Sequence, residues 1–229
     1  MGREWSPLIL RYFDRLPEYR PGDDDDLWLA GLQASVLDFR NSIANNYTEA
    51  TLQRLLANSD DRVRQAACLA LGLLGTRDSA SLVASRLQDE SRMVRRFAHD
   101  ALWEIWFRES GEEPCRKLRL ALQLEDFAQG LAALDDIVRE YPSYAEAINQ
   151  RAILYYRRGE FSRSAADCEQ VLKLNPFHFA AASGMGQCYL RLKKPKAALR
   201  AFQTALTINP DLETVREAVD ALMAAFGED

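Results

Sequence analysis

Pro142, Pro176 and Pro210 stand 34 residues apart, and each closes a segment with the same apolar order. An internal repeat of this length makes each unit one supersecondary element that leans on its neighbours in a stacked array. The last two units superimpose without a gap. Ile148, Ala152, Tyr155, Gly159, Phe161, Ala165, Val171, Leu172 and Pro176 occupy the same slots as Ala182, Gly186, Tyr189, Lys193, Pro195, Leu199, Ala205, Leu206 and Pro210. Apolar and small residues recur at three- and four-residue spacing on both sides of a Gly-Glu or Lys-Lys turn, so each unit reads as two helices. Small residues, Ala152 and Gly186 in one helix, Val171 and Ala205 in the other, sit where the helices cross closely. Each proline ends the second helix, because its ring clashes with the preceding turn and its N–H is missing.

This pattern resembles the tetratricopeptide repeat, TPR, over residues 145–212. An earlier unit, 111–144, keeps the register through Leu118, Phe127, Leu131, Leu134, Ile137, Val138 and Pro142. It departs from the family at Leu118 and Gln129-Gly130, where small residues are preferred, and reads as a degenerate third repeat. Val215, Ala218, Val219, Leu222, Met223 and Phe226 then mark a final amphipathic helix, 213–229, expected to cap the array.

A second period lies upstream. Asp60, Val63, Arg64, Ala67, Ala70, Leu71 and Leu74 recur 31 residues later as Ser91, Val94, Arg95, Ala98, Ala101, Leu102 and Ile105, with Asp60 and Ser91 placed as helix N-caps. This stretch resembles the short HEAT repeats of bacterial proteins, including phycobilisome lyases, and two units fill 46–110. Residues 1–45 hold two further apolar patterns, Leu8, Ile9, Tyr12, Phe13, Leu16 and Leu27, Leu29, Leu32, Val36, Leu37, Phe39. They read as a helical cap, an eroded HEAT pair. The expected fold is all-α, an α-solenoid of about thirteen helices in which HEAT repeats are followed by a TPR superhelix.

Composition restricts the function. With 48% apolar and 28% charged residues the 229-residue chain can build a continuous core. No apolar run approaches the roughly 18 residues that cross a bilayer, and the start lacks a secretory core, so a cytoplasmic protein with no membrane partner is expected. Gly2 and Ser6 match the spacing of an N-myristoylation signal, but Trp5 is an awkward neighbour and acylation is not expected. Cys68, Cys115, Cys168 and Cys188 are scattered without Cys-x-x-Cys spacing and read as apolar filler rather than disulfide or metal partners. The acidic run Asp23 to Asp26 lacks the spaced carboxylates of a calcium loop and reads as a solvated turn before a helix. Trp5, Trp28, Trp103 and Trp106 read as packing residues.

Catalytic constellations are nearly absent. There are two histidines, no phosphate-cradling glycine motif and no nucleophile–base pair, so no enzyme activity and no cofactor are expected. His99-Asp100 lacks the repeated His-Glu pairs of HEAT-repeat iron hydroxylases and reads as a helix-surface or inter-repeat residue. Arg62, Arg64, Arg92, Arg95 and Arg96 open the second HEAT helices, but residues 58–110 carry eight acids against eight bases. Nucleic acid is therefore not an expected partner, and Arg64 and Arg95 are read as a ladder with Asp60, Asp61, Asp89 or Glu90.

A groove remains. The TPR resemblance implies ligand contacts from the first helix of each unit. These are Arg116, Arg119, Leu122 and Gln123; Asn149, Gln150, Ile153, Tyr156 and Arg157; and Ser183, Gln187, Leu190 and Arg191. Acids enter only as Glu112 and Glu146, placed at the entrance. Ten basic side chains face five acidic ones across 145–212. Amides for a peptide backbone, guanidinium for carboxylates and Tyr156 for apolar side chains suit an extended, acidic protein segment. The carboxylate clamp of chaperone-binding TPR domains falls here on Cys115, Arg119, Gln150, Ala180 and Gly184, so its cationic half is lost. The expected function is a non-enzymatic adaptor that binds a protein or peptide partner. The alternative is a non-catalytic subunit of a lyase-like or protein-modifying enzyme.

Overall fold

The computed structural model of the protein describes residues 7–17 and 25–227. Among them are thirteen α-helices, two short 3-10 turns and no strand, so the all-α reading holds. The chain divides into two compact units, Met1–Ile105 and Trp106–Asp229. The readings made at Gly2, Trp5, Ser6, Asp23 and Asp24 lie outside the described residues.

In the first unit, α1 (Leu8–Phe13) and α2 (Asp25–Asn46) precede α3 (Glu49–Leu55), α4 (Asp61–Leu74), α5 (Ala80–Ser85) and α6 (Arg92–Arg108). Ile9, Phe39 and Ile43 are buried, and Phe13 packs edge-on against Phe39 and Phe97. Leu29 and Leu37, read as part of the buried stripe of α2, are instead 47% and 54% exposed. The core-facing stripe of α2 runs through Phe39 and Ile43, one turn apart, and leaves Leu37 on the outer side.

The 31-residue period appears atom for atom. Arg64 Nη1 donates to the carbonyls of Asn58 (2.9 Å) and Ser59 (3.1 Å), and Arg95 Nη1 donates to those of Asp89 (2.9 Å) and Glu90 (3.2 Å). Arg64 also grips Asp89 with two bonds, Nε to Oδ2 at 2.9 Å and Nη2 to Oδ1 at 2.7 Å, with both side chains buried. The Arg64 rung of the predicted arginine–acid ladder is therefore present, while Arg95 is bonded to the backbone carbonyls of Asp89 and Glu90. Burial opposes the Asp89 charge, but the Arg64 guanidinium and the Ser91 N–H outweigh it and hold Asp89 below the ordinary carboxylate range. Asp60 caps α4 by accepting from the Arg62 N–H at 2.8 Å, and the Ser91 hydroxyl donates to Asp61 in the preceding repeat.

The second unit consists of α7 (Glu112–Leu122), α8 (Phe127–Glu140), α9 (Ala145–Arg157), α10 (Phe161–Leu174), α11 (Phe179–Arg191), α12 (Pro195–Ile208) and α13 (Glu213–Gly227). Its 34-residue period is equally literal. At the turn between paired helices, Gly159 has φ 80° and Lys193, 34 residues on, has φ 56°. In both, the following N–H reaches back five residues, Glu160 to Tyr155 O at 2.9 Å and Lys194 to Tyr189 O at 2.8 Å. After the second helix, Asn175 and Asn209 accept from the N–H two residues on, at 3.1 and 3.0 Å, and Pro176 and Pro210 follow at once.

In α11, Ala182, Gly186 and Tyr189 form the face toward α12, where Phe202 lies against the Gly186 backbone. The same slots in α13 hold Arg216, Asp220 and Met223, so α13 departs from the small-residue face of the repeats before it.

Candidate peptide groove

Helices α9, α10 and α11 enclose a pocket of about 420 Å³. Its rim carries Ile153, Tyr156, Arg157 and Gln187, with Asn149 buried in the wall, all five read from the sequence as groove residues. Its floor is Ala152, Ser164, Cys168, Ala180 and Gly184, of which Ser164 and Cys168 come from α10. The TPR ligand slots name only the first helix of each unit, so the α10 residues carried no ligand signal in the sequence. Their small size at a helix crossing was the available clue.

The pocket exists because of a size exchange between equivalent slots. Cys168 and Phe202 occupy the same position in successive units, as do Ala152 and Gly186. In the later unit Phe202 fills the crossing so closely that a Cβ on Gly186 would lie 2.5 Å from its ring. In the earlier unit the smaller Cys168 leaves that volume open, and opposite it Gly184 presents only backbone, its would-be Cβ 3.5 Å from Cys168 Sγ. Two bonds fix the floor, since the Ser164 hydroxyl donates to Ala152 O at 2.8 Å and accepts from Cys188 Sγ at 3.1 Å. The hydrogen bond with Cys188, together with burial, pushes the Cys168 thiol up, so it lines the pocket as a neutral thiol. All four cysteines are buried and unbridged.

At the rim, Tyr156 stacks edge-on with Phe161 at 5.3 Å, and the Arg191 guanidinium lies 6.0 Å from the Tyr156 ring and 5.8 Å from Phe161. Arg191 Nε also donates to the Tyr156 hydroxyl at 3.3 Å. Arg157 is exposed and forms no hydrogen bond or ion pair among the described residues, whereas its neighbour Arg158 pairs with Glu160 at 2.8 Å. The rim therefore offers one uncommitted guanidinium beside an apolar opening.

Glu146, expected as an acid at the groove entrance, is instead fully buried. Its carboxylate accepts from His178 Nε2 at 3.0 Å and from Gln150 Nε2 at 2.6 Å, with Asn149 Nδ2 3.4 Å away. His178 Nδ1 caps α11 by accepting the Ala181 N–H at 3.2 Å, which leaves Nε2 as the protonated nitrogen facing Glu146. Trp106 stacks on the His178 ring at 4.2 Å. Gln150 is thereby drawn to Glu146 and does not line the pocket, while Asn149 joins the pocket wall to this buried network. Of the remaining residues, Arg116, Arg119 and Gln123 are exposed on or just after α7, and Ser183, Leu190 and Arg191 are on α11. None of these six lines the pocket.

Elsewhere, Arg151 joins Asp135 and Asp167 across α8, α9 and α10. His99 accepts or donates at Asp100 and meets Trp103, in keeping with a surface role. Among the described residues no group of three or more His, Cys, Asp or Glu side chains is placed to hold a metal ion, and no helix is long and apolar enough to cross a membrane.

Known repeats match both stretches. The tetratricopeptide repeat model matches residues 149–213, and the HEAT repeat model matches 43–134, running on into α8. The chain is a TPR protein with HEAT-like repeats. A TPR repeat-containing protein of Rhizobium etli is 36% identical over 89 residues, 39% of this chain and 44% of that protein. The human Superkiller complex protein 3 is 28% identical over 94 residues, 40% of this chain and 6% of that protein. The chain thus spans less than half the length of these relatives. Among solved structures, the first TPR of Spaghetti bound to an HSP90 peptide superimposes with a TM-score of 0.46 at 18% identity, over 49% of this chain and 89% of that one.

Proposed function

We propose that this TPR protein is a non-enzymatic scaffold that binds an extended segment of another protein along α9 and α11. The observation that carries the reading is the open pocket between α9, α10 and α11 with the uncommitted Arg157 on its rim. Residues 145–212 carry ten basic against five acidic side chains in a chain of net charge −5, so the groove region attracts acidic segments that the rest of the molecule repels. The exposed amide of Gln187 is suited to a peptide backbone, which needs both donors and acceptors. The HEAT-like stretch serves as a second docking surface or a spacer, and a cytoplasmic setting suits its four unbridged thiols.

The test is a selection of random linear peptides on the full chain. Peptides are then titrated against wild type and against the triple variant Arg116→Glu, Arg119→Glu, Arg157→Glu. Saturable binding that falls at least tenfold in the triple variant, and weakens with salt, is expected. Selection of no peptide above background overturns the reading.

A further inference from the structure

The pocket is not a generic stretch of groove. A neighbouring crossing in the same array shows what normally fills such a volume, an aromatic side chain seated on a glycine, Phe202 on Gly186. At the equivalent place Cys168 and Ala152 leave about 420 Å³ open to solvent, bounded by apolar and neutral surface with the Ser164 hydroxyl already bonded on both sides. A cavity of this size and chemistry is too apolar to reward a buried carboxylate, because no cation reaches its floor to offset the desolvation. It rewards a bulky hydrocarbon group. The cation stands outside, as Arg157 on the rim, beside the half-exposed Ile153.

Resting on the peptide-groove reading, we infer that one bulky apolar side chain of the partner, aromatic or leucine-sized, enters the pocket in place of the missing phenylalanine. A neighbouring acidic residue of the same segment pairs with Arg157. The partner is thus an extended segment in which an apolar anchor adjoins an acid, and the anchor, not the acid, sets most of the affinity. Full burial of such a side chain corresponds to roughly ten- to a hundredfold in affinity. An exposed ion pair at the rim corresponds to about fivefold or less.

Two variants fill the pocket from opposite walls. Cys168→Phe with Ala152→Gly imports the pair already seen at 202 and 186, so the crossing has a packing precedent in this chain. Gly184→Leu enters from α11, where a Cβ would meet only Cys168 Sγ at ordinary contact distance. Both are expected to keep the helical signal and melting profile of wild type and to weaken the selected peptides about ten- to a hundredfold. Arg157→Gln is expected to weaken them about fivefold or less and to flatten the salt dependence. Alanine replacement of the peptide's apolar anchor should cost wild type as much as pocket filling does, and should cost the filled variants little. Peptides enriched in acids with no recurrent apolar residue, or folded filled variants that bind as well as wild type, overturn this inference while leaving the peptide-groove reading intact. Failure to select any peptide overturns both.

Discussion

The turn between paired helices offers a test in which the same backbone carries two different residues. Gly159 and Lys193 both sit in the left-handed region and are followed by the same return bond to the carbonyl five residues back. A left-handed backbone costs a residue with a Cβ roughly 1–2 kcal/mol, and glycine avoids this while giving up about 0.5–1 kcal/mol of unfolded-state entropy. Lys193 is exposed and its side chain makes no bond among the described residues, so Lys193→Gly removes the strain. The net is a stabilisation of about 0.5–1 kcal/mol. Gly159→Ala runs the exchange backward. A Cβ there would meet nothing within 4 Å, so the loss, about 1 kcal/mol, is purely conformational. Urea unfolding followed by circular dichroism reads both, with the slope against urea unchanged. A loss of stability in Lys193→Gly, or no effect of Gly159→Ala, would refute the claim that the two turns are conformational equivalents.

Other outcomes follow from the buried polar groups and crossings. Arg64→Ala strands the buried Asp89 carboxylate and is expected to cost about 3–5 kcal/mol in urea unfolding. Asp89 sits below its unfolded value near 3.9, so its contribution is complete above that pH and is lost as pH falls through the folded value; acid titration of Asp89→Asn should therefore show a shallower acid limb than wild type. His178→Ala removes the α11 cap, the Trp106 stack and the partner of Glu146 together, and should cost about 3 kcal/mol or more by the same assay. Gly186→Ala should cost about 1–3 kcal/mol by overpacking against Phe202 and be largely restored by adding Phe202→Cys, which recreates the pair found at 152 and 168.

What the sequence disclosed and what it hid divide along one line, the reach of an interaction. Prolines 142, 176 and 210, the caps at Asp60 and the alternation of small residues act within one or two helical turns, so their spacing was enough to read the helix pairs. The Arg64–Asp89 bridge was legible in part, since Asp89 was one of four acids, with Asp60, Asp61 and Glu90, read as candidates for the ladder. Glu146 was misread because its partner His178 lies 32 residues away and its burial depends on Trp106, in an earlier helix. An acid at a ligand slot gives no sign of being satisfied from behind. The lining residues Asn149, Ile153, Tyr156, Arg157 and Gln187 were legible through the TPR slots. The floor was not, because an open volume is a difference between two side chains, Cys168 and Phe202, that the repeat pattern treats as interchangeable. Leu29 and Leu37 show the same limit, since periodicity names an apolar stripe without saying how much of it a neighbour covers.

The claim on which the account rests is that a foreign segment lies along α9 and α11 with a side chain in the pocket between them. Amide and methyl chemical-shift mapping during titration with a selected peptide addresses this most directly. The account predicts the largest shifts at Ala152, Ile153, Tyr156, Arg157, Ala180, Gly184 and Gln187. Shifts confined to α8, α12 or the HEAT-like helices, with the pocket residues unmoved at saturation, would contradict it.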